Sequence, residues 1–372
     1  MTLDRKSAKP MYIQLYEYYR KQIMGGKLPS GEFLPPETRL MKEYGISRNT
    51  VRLCQGLLLK EGLISRMRGC GTRIVYDAES GAAALQGKAI AVLLFDVRIE
   101  FFASVIRAIE DTANAEGFRV ILCNTDKRPE KEEEYLEQLA GKVAGFIVAP
   151  VPGGKNNARY RELIKRKIPV IFIDRFIPGL DITRVTGNNA EGGYAVTKHL
   201  LGLGHRRIGV IGESPSSSTD ERIKGYRRAL DECGIKADRG AVLLNGAGKD
   251  ELYGKLCGYN RINDLLSADN PPTAVFCLND DIAEGAYERI KDKGLDIPGD
   301  ISVAGFDDSP VSGYLSPGLT TVSQQKREMG RKTCEVLIGR IGSSGSPRVN
   351  TGMKEFVFPV NMVIRGSTGR VS

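Results

Sequence analysis

A chain of 372 residues with ordinary hydrophobic content (41%) is long enough for two or three domains with cores of their own. Its net charge of +9 is concentrated: residues 1–76 hold 14 Lys/Arg against 6 Asp/Glu and the rest 40 against 39, so a polyanion partner is expected for the first fifth alone. Seven cysteines without CxxC spacing argue against a disulfide framework or zinc site, two histidines argue against a His-based metal or acid–base site, and the lack of a leader or an apolar run of about 18 residues makes a cytoplasmic protein without a membrane span the expectation.

The first elements are helical. Residues 11–24 place Tyr12, Leu15, Tyr16, Tyr19 and Ile23 on one face, and Gly25 and Gly26 end the helix. Pro29, Ser30 and Gly31 form a turn. Pro36 and Glu37 then open a second helix whose inner side is Leu40, Met41 and Tyr44. After a turn at Gly45, Ser47 is the N-cap of a third helix, with Val51, Cys54 and Leu58 inward. Arg48, Arg52 and Gln55 recur at i, i+4 and i+7 on the other face, with Asn49 beside them. Such a face suits base edges in a DNA major groove, since Arg pairs bidentately with guanine and Asn or Gln with adenine. A plain solvated face would carry similar charges; the elements around it favour DNA. Two strands, residues 63–67 and 72–76, flank Arg68, Gly69, Cys70 and Gly71, and Arg66, Arg68 and Arg73 decorate that hairpin. Three helices followed by a hairpin make a winged helix-turn-helix, its tip reaching phosphates or a minor groove.

These residues resemble the GntR family of bacterial regulators. The matches are Pro10-x-Tyr12-x-Gln14, Pro29-x-Gly31-x-x-Leu34-Pro35-x-Glu37, Gly45-Ile-Ser-Arg48-x-Thr50-Val51-Arg52, Glu61-Gly62-Leu63-Ile64 and Gly69-x-Gly71-Thr72. The resemblance implies that Arg48 and Arg52 contact DNA and that Gly69 belongs to the wing tip. The expected DNA-binding set is Arg39, Ser47, Arg48, Asn49, Thr50, Arg52, Arg68 and Gly69. Thr38 stands where the family often has Arg. Gln55 and Gly56 replace the usual Ala-Leu, a weaker helix by about 1 kcal/mol for the glycine.

Residues 77–88 are small and polar and read as a linker without an apolar hinge helix. Strand–helix alternation follows. Strands are expected at 90–95, 119–123, 145–149 and 169–173, with helices at 103–117, 131–140 and 158–167 between them. The rhythm repeats with helices at 192–203, 223–233, 260–267 and 282–293 and strands at 207–211, 241–244, 274–278 and 302–305. Two doubly wound α/β lobes result, and ligands of such sheets bind beyond the carboxyl ends of strands. Asp174 and Arg175, Asn279 to Asp281, and Asp307 and Asp308 sit at such ends. A loop at 341–350, a late strand on the second lobe at 355–364 and a frayed end at 367–372 complete the reading.

Residues 88–340 resemble the effector domain of the LacI/GalR family, built like type I periplasmic sugar-binding proteins. The matches include Ile171-Phe-Ile-Asp174-Arg175, His199-Leu-Leu-Gly-Leu-Gly-His205-Arg-Arg-Ile208, Arg222-x-x-Gly225-Tyr226 and Asn279-Asp280-x-x-Ala283-x-Gly285. Pro298-x-Asp300-Ile301-Ser302-Val303-x-Gly305-Phe306-Asp307-Asp308 and Pro317-x-Leu319-Thr320-Thr321-Val322 continue them. The implied effector-binding residues are Phe101, Phe102, Asp174, Arg175, Arg222, Asn279, Asp281, Asp307 and Gln324. Carboxylates, Asn and Arg suit vicinal hydroxyls, and Phe suits the apolar face of a sugar ring. Arg98, Ile99 and Glu100 before the Phe pair, and Gly187, Asn188 and Asn189, depart from the family pattern. His199 and His205 read as structural.

The expected architecture is therefore α/β: a winged helix-turn-helix (1–76), the linker (77–88), and a two-lobed sensor and dimerisation domain (89–366). The combination resembles the bacterial arabinose-utilisation repressors. It implies a homodimeric repressor of double-stranded operator DNA, governed by a small effector, a sugar such as arabinose, with no cofactor, metal or membrane. A nucleobase or nucleoside is the competing ligand, and corepression, in which the ligand promotes DNA binding, is the competing sign of regulation. A Mg²⁺-dependent phosphoryl-transfer enzyme using Asp280, Asp281, Asp307 and Asp308 is the competing class, but no phosphate-binding Gly-rich loop follows the first strand. An exported solute-binding protein would need a leader.

Overall fold

The structure, a computed structural model, describes residues 7, 9–67, 71–75, 88–244, 252–342 and 352–371. The expected wing tip at Arg68 and Gly69 and residues 77–87 of the expected linker lie outside them. Two compact units are present, Met1–Gly87 and Lys88–Ser372.

In the first unit, α1 (Met11–Met24), α2 (Glu37–Tyr44) and α3 (Arg48–Lys60) precede an antiparallel hairpin of β1 (Ile64–Met67) and β2 (Gly71–Ile74). Leu15, Tyr19, Ile23, Leu40, Val51, Cys54, Leu58, Ile64 and Ile74 form its core. Each such side chain, fully buried, contributes about 1.5–3 kcal/mol. Gly45 ends α2 in the left-handed conformation (φ 62°) and donates its N–H to Met41. The Ser47 hydroxyl caps α3 by accepting from the Thr50 N–H at 3.2 Å. One pairing was not foreseen. Ile74 N–H donates to Glu32 O (2.7 Å) and Leu34 N–H to Thr72 O (2.8 Å), so residues 32–34 run along the second edge of β2.

In the second unit, a six-stranded sheet has the order β13-β7-β6-β5-β3-β4: β3 (Ala89–Leu94), β4 (Arg119–Asn124), β5 (Gly145–Val148), β6 (Val170–Ile173), β7 (Thr183–Gly187) and β13 (Glu355–Phe358). All its neighbours are parallel. Helices α4 (Glu100–Ala115), α5 (Pro129–Leu139), α6 (Asn157–Lys165) and α12 (Lys326–Gly342) belong to this lobe. The second lobe has the order β11-β10-β8-β9: β8 (Ile208–Ile211), β9 (Val242–Leu243), β10 (Ala274–Cys277) and β11 (Ser302–Ala304). Its helices are α7 (Asn189–Gly202), α8 (Ser217–Glu232), α9 (Gly254–Leu266), α10 (Asp280–Asp292) and the short α11 (Pro310–Tyr314). An antiparallel pair, β12 (Thr321–Gln324) and β14 (Val360–Val363), completes it.

The alternation was legible; several ends were not. The expected late strand at 355–364 is two strands broken at Pro359, which has no N–H for a ladder. Its first half joins the first lobe beside β7, its second half the second lobe. Strands β7 and β12 and helices α11 and α12 went unpredicted, and α12 runs into the expected loop through Gly342. Nor is the chain end frayed: the buried Ser367 hydroxyl donates to Val303 O (2.6 Å) and accepts from Thr320 N–H (2.7 Å). Val371 N–H donates to Leu203 O (3.1 Å). His205 meets Thr273 and Gly369 O, and His199 meets Thr368, so both histidines pin this tail.

Two glycines let α9 and α10 touch backbone to backbone. A Cβ at Gly285 would lie 1.8 Å from Lys255 O, and one at Gly258 equally close to Ile282 O. Gly285→Ala is therefore expected to destabilise the second lobe by about 3 kcal/mol, read by urea denaturation. Asp280 bonds the same helix to its surroundings: its buried carboxylate accepts from Ser309 N–H (2.7 Å), Ser309 Oγ (3.1 Å) and Thr321 Oγ1 (2.6 Å). Burial, aided by the Asp307 charge, still pushes it up to about 7. The folded state thus holds this proton more tightly than the unfolded state, so the stability it lends is present at low pH and lost as pH rises through about 7. The melting temperature should rise on acidification from pH 8 to pH 6, and Asp280→Asn should flatten that slope.

Candidate functional site

The first unit displays its expected DNA face on α3 and α2. Arg39, Ser47, Arg48, Asn49 and Arg52 are exposed and Thr50 half-exposed. Gln55 is not on this face: it is only 3% exposed. Helix α3 packs against both α1 and α2, and at 100° per residue its buried positions Val51, Cys54, Gln55 and Leu58 span an arc of about 100°. Arg48 and Arg52 lie just outside that arc. Glu37, in the first turn of α2, stands between them, 3.3 Å from Arg52 Nε and 3.8 Å from Arg48 Nε. All three side chains are solvated, so these pairs orient the guanidinium groups more than they stabilise the unit.

Between the lobes of the second unit lies a cavity of about 740 Å³. Seven of the nine expected effector residues line it: Phe101, Phe102, Asp174, Arg175, Arg222, Asn279 and Asp307. Asp281 and Gln324 do not. Asn279 caps α10 through its side-chain oxygen (2.8 Å to Ile282 N–H), and successive helix positions then turn Asp280 into the lobe and Asp281 past the cavity wall. Burial, then the charges of Asp307 and Glu213, push the Asp281 carboxyl up to about 6. Gln324 stands behind the wall and donates its amide to Asp307 Oδ1 at 2.8 Å. A Cβ at Gly187 would strike the Gln324 amide oxygen, so the departure at Gly187 makes room for this support.

The polar groups are built in pairs. Arg222, on α8, donates to Asn189 Oδ1 (2.8 Å), to the Leu278 carbonyl and to Asp307 Oδ1 (3.3 Å), and lies 3.7 Å over the Phe306 ring. Burial raises the Asp307 carboxyl while Arg222 and Lys326 oppose the rise. Arg175 donates to Asp174 Oδ2 (3.1 Å) and stacks 3.7 Å over Phe95. Asp174 (φ 66°) and Asp307 (φ 106°) both hold left-handed backbone, strain tolerated where a side chain must be aimed. Phe95, Phe101 and Phe102 meet edge to face at 5.2 Å. Phe102 is wholly buried and backs the wall. The arrangement offers fixed acceptors, forked donors and an apolar wall.

Lys127, Arg128, Glu213, Ser218 and Tyr253 also line the cavity and were missed. The rule that flagged Asp174 and Asp307 would have found Lys127 and Glu213, which follow β4 and β8. Among the described residues no group of three or more His, Cys, Asp or Glu is placed to hold a metal ion. Asp308 is bound by Arg365 at 2.8 Å. Among the described residues no helix is long and apolar enough to cross a membrane.

Comparisons with known proteins agree with this division. Residues 11–74 match the family model of bacterial regulatory proteins of the gntR family, and residues 197–368 match a periplasmic binding protein-like domain. The arabinose metabolism transcriptional repressor of Geobacillus stearothermophilus is 27% identical over 371 residues, 99% of this chain and 100% of that protein. The HTH-type transcriptional regulator DegA of Bacillus subtilis is 32% identical over 305 residues, 79% of this chain and 86% of the relative. Among solved structures, a LacI family transcriptional regulator from Enterococcus faecium with bound ribose superposes with a TM-score of 0.65 at 30% identity, covering 77% of this chain and all of that one. These relatives are regulators rather than enzymes. The chain belongs to the bacterial transcriptional regulators that join a gntR-family DNA-binding domain to a LacI-type, periplasmic-binding-protein-like effector domain.

Proposed function

We propose that this protein is a repressor whose operator affinity is set by a small carbohydrate bound between the two sensor lobes. Residues 1–76 serve as the DNA-binding domain, residues 77–88 as a linker and residues 89–366 as the sensor. The observation that carries the ligand class is the cleft's pairing of braced carboxylates with guanidinium forks, Asp307 with Arg222 and Asp174 with Arg175, beside a phenylalanine wall. Vicinal hydroxyls both donate and accept, so they fit such pairs, and a ring's apolar face fits the wall. The ribose in the Enterococcus faecium structure and the name of the Geobacillus stearothermophilus relative support a pentose, arabinose first. Phe101 and Asn279 complete the contact set, while Phe102, Gln324 and Asp281 act from behind the wall.

On the DNA side, Arg48, Arg52 and Asn49 read base edges, while Arg39, Ser47 and Thr50, with Arg68 and Gly69 of the wing, hold phosphates. A single recognition helix reads only a few base pairs, so a homodimer on a two-fold operator is part of the reading. The sugar acts by population shift: it binds one lobe arrangement better than the other, and the spacing of the paired DNA-binding domains follows.

Arg48→Ala with Arg52→Ala should weaken binding to a duplex selected from a random pool by about 100-fold or more and reduce its salt dependence, measured by fluorescence anisotropy. Full retention of binding would remove the assigned DNA face. On that duplex, a gel shift with a panel of pentoses, hexoses and disaccharides should find one sugar that lowers occupancy. Asp307→Asn should raise the sugar concentration required by about 10- to 100-fold without lowering DNA affinity. A panel with no effect on the wild-type protein would sink the carbohydrate reading.

A further inference from the structure

The clamshell has a hinge side and a mouth, and the strand orders say which is which. The chain passes between lobes after β7, after β12 and between β13 and β14. Strands β7 and β13 lie at one edge of the first sheet, and β4 is the opposite edge. In the second lobe β12 runs beside β11, and β9 is the far edge. The loop after β4 on one lobe, and on the other the segment after β8 with residues 252–254 at the start of α9, are therefore the two lips of the mouth.

Lys127 sits on the first lip, and its ammonium crosses to the second. It lies 3.4 Å from Glu213 Oε2, which follows β8, and 3.5 Å above the ring of Tyr253, which follows β9. Asp96, on its own lobe, stands behind it at 3.9 Å. The Lys127 side chain is only 14% exposed and that of Glu213 only 18%, so bulk water screens this pair far less than a surface pair. The other Glu213 oxygen accepts the Gly254 N–H (2.7 Å) at the start of α9, which fixes the carboxylate's direction.

The backbone on the first lip is unusual. Asp126 (φ 53°) and Lys127 (φ 60°) are consecutive left-handed residues, neither of them glycine. The turn is held by Lys127 N–H to Phe95 O (2.7 Å), by Asn124 Nδ2 to Asp126 (2.6 Å) and by the Lys131 ammonium on Asp126 (2.6 Å). Strained conformations persist where the surroundings over-determine them, and they collect at clamps and switches. Here the strain aims one cation across the mouth.

We propose that Lys127, seated against Glu213 and Tyr253, is a latch that holds the two lobes together at the mouth of the cleft, with or without effector. It rests on the reading of the cleft as the effector site. It adds that part of the closure energy belongs to the protein itself, so the latch sets how much differential binding the effector must supply. Lys127 and Glu213 are positioning residues, and with Tyr253 they line the rim of the same cavity that the ligand fills.

The test needs no effector and so fails separately from the carbohydrate reading. The Phe176 N–H donates to Ser217 Oγ across the cleft at 2.8 Å, away from the β4 turn, and it reports lobe separation. In the full-length, ligand-free protein, hydrogen exchange at Phe176 should quicken about tenfold in Lys127→Met and likewise in Glu213→Gln, and stay near the wild-type rate in Lys127→Arg. Glu213→Gln keeps an acceptor for Gly254, so it leaves the second lip intact. Unchanged exchange at Phe176 in either of the first two variants, or faster exchange confined to residues 124–128, overturns the latch.

Discussion

A buried guanidinium must have its donors met, and Arg222 is the place where the second lobe answers that demand. It is 7% exposed, and stripping one partner from such a group costs about 3–5 kcal/mol. Its partners come from four places: Asn189 at the start of α7, the Leu278 carbonyl at the end of β10, Asp307 after β11 and the face of Phe306. Meeting those donors therefore draws the first crossover, the central strand and the Asp307 loop onto α8. The residues that face the cleft are held by the same constraint that lets the lobe exist.

The carboxylates obey related rules. Asp280 and Asp307 follow neighbouring parallel strands, and both are buried. Asp280 spends its oxygens on Ser309 and Thr321 and is structural; Asp307 spends one on Arg222 and Gln324 and keeps its place on the cavity wall. Two acids in similar settings thus divide into a brace and a binding group.

The two units use electrostatics in opposite ways. The first carries excess positive charge on a solvated helix face, where individual pairs such as Glu37 with Arg48 are weak and a polyanion outcompetes them. The second has almost no net excess and sets a few close, shielded pairs at its cleft, where direction counts more than quantity. Long-range attraction suits a long duplex; short, directed pairs suit a molecule of a few hydroxyls.

Local signals in the amino-acid order were enough for the three helices and the cap at Ser47, the β–α alternation of both lobes and the cleft residues Asp174, Arg175, Asn279 and Asp307, while Phe101, Phe102 and Arg222 came from the family resemblance. The former rest on periodicity, on capping chemistry and on strand ends, all properties of neighbours in sequence. What only the tertiary structure decided involves partners far along the chain. Gln55 obeys the outward spacing but is only 3% exposed on α3, a helix that packs against both α1 and α2. The late strand divides between lobes at Pro359, the tail is fastened by Ser367, and Gln324 supports Asp307 from behind through the space left by Gly187. Lys127 reaches Glu213, 86 residues away, only once both sheets exist. Sequence spacing specifies which face a residue occupies on its own element; what lies opposite that face is set by packing among distant elements, and no local pattern records it.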